Sequence, residues 1–264
     1  MSKLFPAMNS KPENAQVVSI VPCWLCAFVL IPMFIPVLAI GLWDDYELSV
    51  WFEIAYHILN GIGMLWVIRN YLKDEWFMVT IDVPHYLKHI ALTVGLIFVA
   101  EIIWLGAMYF YGFEIGYLLE CLPVVEMSVS HTPAFALNLQ PIFGTIAMSL
   151  FAPISVCALF YCLGFATVCN KKPWLAYLSI VIITLLPPVF DIIWRDNALF
   201  VLCGYFVRLP VHLLACWSYQ KTNNVWTPMI SLAVTNLLIC ILFQFIYFFQ
   251  LFRTFLFLLV RLFR

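Results

Sequence analysis

The sequence predicts an all-α fold, a polytopic membrane bundle of about seven to eight transmembrane helices. Three observations carry this expectation. The 264 residues are 65% hydrophobic and only 10% charged, whereas a soluble domain carries roughly 25% charged residues. Apolar runs of about 20 residues, the length that crosses a bilayer as a helix, recur almost end to end. They are near-continuous rather than alternating, which selects helices over a β-barrel as the way to pair every backbone group inside hydrocarbon.

The elements follow in order. Residues 1–15 (MSKLFPAMNSKPENA) are polar, and the apolar run after them is long for a cleaved signal. The first 16 residues are therefore expected to form a cytoplasmic tail, and residues 17–252 the bundle. A first helix is expected from about Val17 to Trp43, bent by Pro22, Pro32 and Pro36. The acidic turn Asp44-Asp45-Tyr46-Glu47 precedes a second helix from about Val50 to Ile68. Arg69 to His89 interleaves cations, aromatic and apolar residues, the composition of a segment in the membrane interface with Trp76, Phe77 and Tyr86 at headgroup depth. A third helix is expected from about Ile90 to Tyr111, then a long loop, Gly112 to Asn138, with Glu114, Glu120, Glu126 and His131. A fourth helix should cover about Leu139 to Val168 and end at Asn170-Lys171-Lys172-Pro173. A fifth should cover about Trp174 to Trp194, interrupted by Pro187-Pro188, and a sixth about Ala198 to Ser218. A seventh should start near Pro228 and run to about Phe252, leaving residues 253–264 as an interfacial tail.

Cations fix the expected orientation. Lys3 and Lys11, then Arg69, Lys73 and Lys88, then Lys171 and Lys172, then Lys221 fall in alternate connections, and the others are acidic apart from Arg195. The positive-inside rule then places the N-terminus in the cytoplasm of a multi-pass protein of the cell membrane. Seven helices would leave the C-terminal tail outside with Arg253, Arg261 and Arg264. Either that tail is an exception or the first helix or the Arg69–His89 region is miscounted by one segment.

Candidate functional residues are few. A charge in hydrocarbon costs about 2.5–3.5 kcal/mol on insertion scales and needs a partner or a task. Glu101 lies mid-way along the third helix, Asp191 near the end of the fifth, and Arg208 and His212 four apart on the sixth. Glu53 and His57 share that spacing, which puts each pair on one helix face. Glu101, Asp191, Arg208 and His212 are read either as a polar cavity or as structural pairs near helix ends. The nine cysteines are scattered, mostly inside apolar runs, where Cys packs as a small hydrophobe. Cys23 and Cys26 form a CxxC without closing ligands, so no metal and no cofactor are expected. The chain has no HExxH pair, no Gly-x-Ser-x-Gly elbow and no phosphate-binding Gly loop. A net charge of −1 gives no electrostatic case for nucleic acid.

The stretch from Ala152 to Asn236 adds a resemblance. It reads Ala152-Pro153-Ile154, Leu159-Phe160 and Gly164. A basic loop, Lys171-Lys172-Pro173-Trp174, leads into the next helix, and Ser218-Tyr219-Gln220-Lys221-Thr222-Asn223-Asn224-Val225-Trp226-Thr227-Pro228-Met229-Ile230 and Asn236 close it. This resembles the CPBP family of intramembrane proteases (CAAX prenyl protease and bacteriocin-processing enzymes, the Abi family) over roughly the last half of the chain, about residues 139–252. The family carries A-P-I-x-E-E-L-x-F-R-G, a helix ending F-x-x-x-H, and Y-x-x-T-G-S-I-W-x-P-I followed by H-x-x-x-N. Its glutamates and histidines activate water. Here Val156 and Cys157 stand in place of the glutamates and Tyr161 in place of the arginine. Thr184 and Pro188 take the F-x-x-x-H positions, Leu232 the last histidine, and Asn236 alone matches a functional position. The resemblance implies the family's helical frame without its catalytic set. The expected role is that of a pseudoprotease with the lipid bilayer and another membrane protein as partners. The alternatives are a leader-peptide or CAAX-type endopeptidase with a shifted site (Glu101, Asp191, His212), and a bacteriocin-immunity or small transport protein with a pocket around Arg208.

Overall fold

The computed structural model describes residues 46–110, 112, 140–157, 173–194 and 198–242. The expected first helix, Cys23 and Cys26, the loop from Phe113 to Asn138, Tyr161, Lys171, Lys172 and the C-terminal tail lie outside the described residues. So does any test of the segment count.

Every described element is helical. α1 spans Tyr46–Ile81. Its limbs Val50–Trp66 and Tyr71–Ile81 meet at 80°. α2 spans Val83–Phe110. α3 (Gln140–Ile146), a π-helical turn (Ala147–Phe151) and α4 (Ala152–Val156) form one continuous helical run. α5 spans Pro173–Trp194, α6 Ala198–Thr222, and α7 Trp226–Leu242.

Several expected boundaries shift. The second helix begins at Tyr46, within the expected acidic turn, and continues past Ile68 into the segment expected to be interfacial. Between Met64 and Ile81 the sequence holds no Gly or Pro, so nothing in it stops the helix, which bends and continues. The break comes at Asp82, because Pro84 has no N–H for a continuing helix. Asp82 caps α2 instead, its carboxylate accepting the backbone N–H of His85 at 3.3 Å. α2 therefore starts at Val83 rather than Ile90. At about 1.5 Å per residue its 28 residues reach about 42 Å, against a hydrocarbon core of about 30 Å. The surplus matches its first two turns, where His85, Leu87 and Lys88 are exposed. α5 runs through Pro187 and Pro188 without the expected interruption. α6 continues to Thr222, which puts Lys221 in its last turn rather than in a loop.

α6 ends at Asn223, whose φ of 49° is the left-handed cap conformation that Asn tolerates; its N–H returns to the Tyr219 carbonyl at 2.7 Å. Asn224 then opens α7 by accepting the Trp226 N–H at 2.9 Å. Pro228 falls in the first turn, where a missing N–H leaves no helical bond unmade.

α5 and α6 run antiparallel. Tyr177 donates to Gln220 at 2.6 Å near one end, and Tyr205 donates to the Val181 carbonyl at 3.1 Å further along. α2 packs on the other side of α6, with the rings of His89 and Trp217 6.4 Å apart. α1 packs against the π turn and α4. Gly61 makes that contact possible, since a Cβ there would fall 2.6 Å from Cβ of Phe151. One apolar core joins the helices: Met64 and Leu72 of α1, Ile97 of α2, Cys157 at the end of α4, Ala176 and Ile180 of α5, Ala215 and Cys216 of α6, and Met229 and Leu232 of α7.

The polarity is inverted relative to a water-soluble domain. Asn60, Thr93, Glu101, Ser149, Ser155, Ser218, Thr227, Ser231 and Thr235 are buried. Trp66, Ile103 and Phe110 are 72%, 66% and 91% exposed. On α2 the buried residues Tyr86, Ile90, Thr93, Ile97 and Glu101 recur every three or four positions and form one inward stripe. Leu92, Val99, Ile102 and Ile103 cover the outer face. α2 is the one described helix that is long and apolar enough to cross a membrane, and the bent limbs of α1 together make a second candidate.

Candidate functional site in the helical core

Three of the positions matched to the protease resemblance meet in one place. Cys157, fully buried, and Leu232 belong to the same apolar core, and Val156 packs against it. These three side chains contribute hydrocarbon and a thiol to that core. None of these side chains deprotonates water at neutral pH. Thr184, in α5, hydrogen-bonds its own helix through the Ile180 carbonyl at 2.7 Å. The side chain of Pro188 lies outside the described set.

Asn236, the residue matched to a functional position in the resemblance, joins two helices. Its amide donates to the Met148 carbonyl at 2.7 Å. The cause lies in the π turn. There the Ala152 N–H bonds back five residues to the Ala147 carbonyl. In that register Met148 would receive the N–H of residue 153, which is proline. Pro153 orphans the Met148 carbonyl, and Asn236 supplies the missing donor from α7. A π turn and a helix-internal proline thus become an interhelical clip in a low-dielectric interior, where an unmade bond is costly.

Arg208 and His212 share a face of α6, and the charge of Arg208 acts on both His212 and His57 of α1. His57, assigned from sequence only to a pair with Glu53, is therefore within reach of the Arg208 charge as well. Glu101 is buried on the inner stripe of α2. The side chain of Asp191 lies outside the described set. The expected four-residue cavity lies partly outside the described residues; within them, His57 is added to the residues near the Arg208 charge. Only tertiary packing reveals that addition, because His57 and Arg208 are far apart in sequence. Among the described residues no three His, Cys, Asp or Glu side chains gather as metal ligands would.

A second feature sits at the bend of α1. A groove of about 500 Å³ is lined by Leu65, Arg69, Leu72, Lys73, Trp76 and Trp226. Two side chains of the α6–α7 connection pin its far wall. The Trp226 indole donates to the Leu72 carbonyl at 2.8 Å, and the Asn224 amide donates to the Glu75 carbonyl at 2.8 Å. The connection carrying Lys221 and the one carrying Arg69, Lys73 and Lys88 thereby meet at one end of the bundle. The sequence marks Trp76 as interfacial but gives no sign that Trp226 reaches it. Compared with protein-family models, curated proteins and solved structures, the chain matches none.

Proposed function

We propose that the chain is a multi-pass protein of the cell membrane, with a cytoplasmic N-terminus, that works by binding another membrane protein rather than by hydrolysing peptides. The carrying observation is the packing of Val156, Cys157 and Leu232 into one apolar core, at the positions where the resembling proteases place water-activating groups. Bilayer residence is supported by the exposed apolar faces, the buried small polar residues and the membrane-length α2. The reading takes α5 and α6, 22 and 25 residues long, as further spans from the apolar runs of the sequence. The orientation is supported by the meeting of two basic connections at one end, as the positive-inside rule requires of loops on one face.

The test has two arms. The protein is reconstituted in liposomes and offered prenylated and leader peptides with quenched fluorophores; no cleavage above protein-free liposomes is expected. In parallel, cross-linking within native membranes, followed by size analysis, should show the chain in a stoichiometric assembly larger than itself. Cleavage that disappears in Glu101→Gln or His212→Ala would reinstate the shifted-site peptidase, and a chain that runs only alone would remove the partner reading.

The grouping of His57, Arg208 and His212 favours a second reading, a polar pocket serving transport or immunity. Under it, Arg208→Ala inserts normally but abolishes the transport or toxin-resistance phenotype. Under the partner-binding reading the same variant retains it.

A further inference from the structure

The groove at the bend of α1 combines features that one ligand class unites. Its floor is apolar, Leu65 and Leu72, and its walls are the indoles of Trp76 and Trp226, 5.0 Å apart and tilted by 68°. Its charged lining residues are Arg69 and Lys73, both exposed, with no carboxylate among the lining residues. Leu65, Arg69, Leu72 and Trp76 are spaced by four, three and four residues, so they hold one face of α1 through the bend. The Arg69 guanidinium lies 4.8 Å from the centre of the Trp66 ring, which fixes its planar fork while leaving N–H donors for an anion. Leu65 lies on the limb Val50–Trp66, and Trp76 on the limb turned 80° from it. In a bilayer the first limb runs toward the hydrocarbon and the second along the headgroups. Tryptophan belts and cations occupy that level.

We propose that this elbow binds one anionic phospholipid, its phosphate between Arg69 and Lys73 and its upper acyl chain along Leu65, Leu72 and the indoles. This rests on the bilayer residence proposed above and adds a specific lipid class. The occupant follows from charge and shape together. Two cations without a carboxylate favour a headgroup of net negative charge over a zwitterionic one, whose own cation they repel. The volume suits a headgroup and the start of an acyl chain. The cytoplasmic leaflet, where the positive-inside rule puts this end, is the anionic one. The lipid would bridge the two limbs of α1 and the start of α7, so occupancy should stiffen the bend.

The test uses the full chain in nanodiscs of phosphatidylcholine alone or doped with phosphatidylglycerol, released into the gas phase for native mass spectrometry. The wild type should retain phosphatidylglycerol in preference to phosphatidylcholine. Arg69→Gln and Lys73→Gln should each lower that preference about fivefold, the effect of one cation at a membrane surface. The swap Arg69→Lys with Lys73→Arg keeps both charges and should keep most of the preference even where a neutral variant inserts badly. Lys221→Gln, at the same end but off the groove, should leave it unchanged. Equal loss in Lys221→Gln, or no preference in the wild type, overturns the site. Extraction of the wild type from membranes by carbonate overturns bilayer residence itself, and the site with it.

Discussion

Asn236 is the residue whose meaning changes most between sequence and structure. In the sequence it is the lone match to a functional position of a protease family. In the fold it answers a deficit created by Pro153, eighty-odd residues away in the chain, by donating to the Met148 carbonyl. This coupling is testable by a double-mutant cycle. Asn236→Ala should destabilise the protein by about 1 kcal/mol, within the range of interhelical bonds in membranes. Pro153→Ala restores a backbone donor to the π turn, so Asn236→Ala in that background should cost less. Chemical denaturation in mixed micelles reads both. Equal costs in the two backgrounds would mean that Pro153 does not create the need. Gly61 makes a second residue-scale prediction. A Cβ there meets both Cβ and Cα of Phe151, at 2.6 and 3.0 Å, and backbone cannot swing aside. Gly61→Ala should cost about 1–3 kcal/mol by overpacking and lower the melting temperature, with Gly61→Ser no better.

At the scale of elements, the bend of α1 is held by residues that belong to another part of the chain. Asn224 is almost wholly buried and serves twice, capping α7 through its carbonyl and binding the Glu75 carbonyl through its amide. Asn224→Ala removes both and should destabilise by about 2 kcal/mol, a cap plus an interhelical bond. Hydrogen exchange should then accelerate in Tyr71–Ile81 more than in α2. Uniform acceleration would show that the limb has no separate clamp. Much at this scale was legible in the sequence: α2, α5 and α6 sit where the apolar runs put them, because a run of that length in hydrocarbon has few alternatives to a helix. What was not legible was the continuation of α1 into Arg69–Ile81. Charged and aromatic residues there suit an interface, yet none of them breaks a helix, so the interfacial segment is a bent continuation rather than a separate stretch. The π turn was equally hidden, since Ala147–Phe151 carries no local signal beyond Pro153 two residues later. Of the candidate site, the Arg208–His212 pair followed from helical spacing, but the approach of His57 depends on which helices meet.

For the whole molecule, the proposal requires two basic connections on one side of a bilayer and a core without water. Single cysteines at Lys73→Cys and Lys221→Cys should label from the same side with a membrane-impermeant maleimide; opposite sidedness would contradict the meeting of their connections at one end. The core is tested most directly by Cys157, a native thiol buried in it at a position where the resembling proteases carry a catalytic glutamate. The measurement is the rate at which a small charged methanethiosulfonate modifies Cys157, as the sole remaining cysteine, in the protein embedded in nanodiscs. A dry, non-hydrolytic core predicts protection until denaturant is added, with Lys73→Cys in the same background reacting at once. Modification of Cys157 as fast as that surface cysteine would reveal a water-filled cavity and contradict the account.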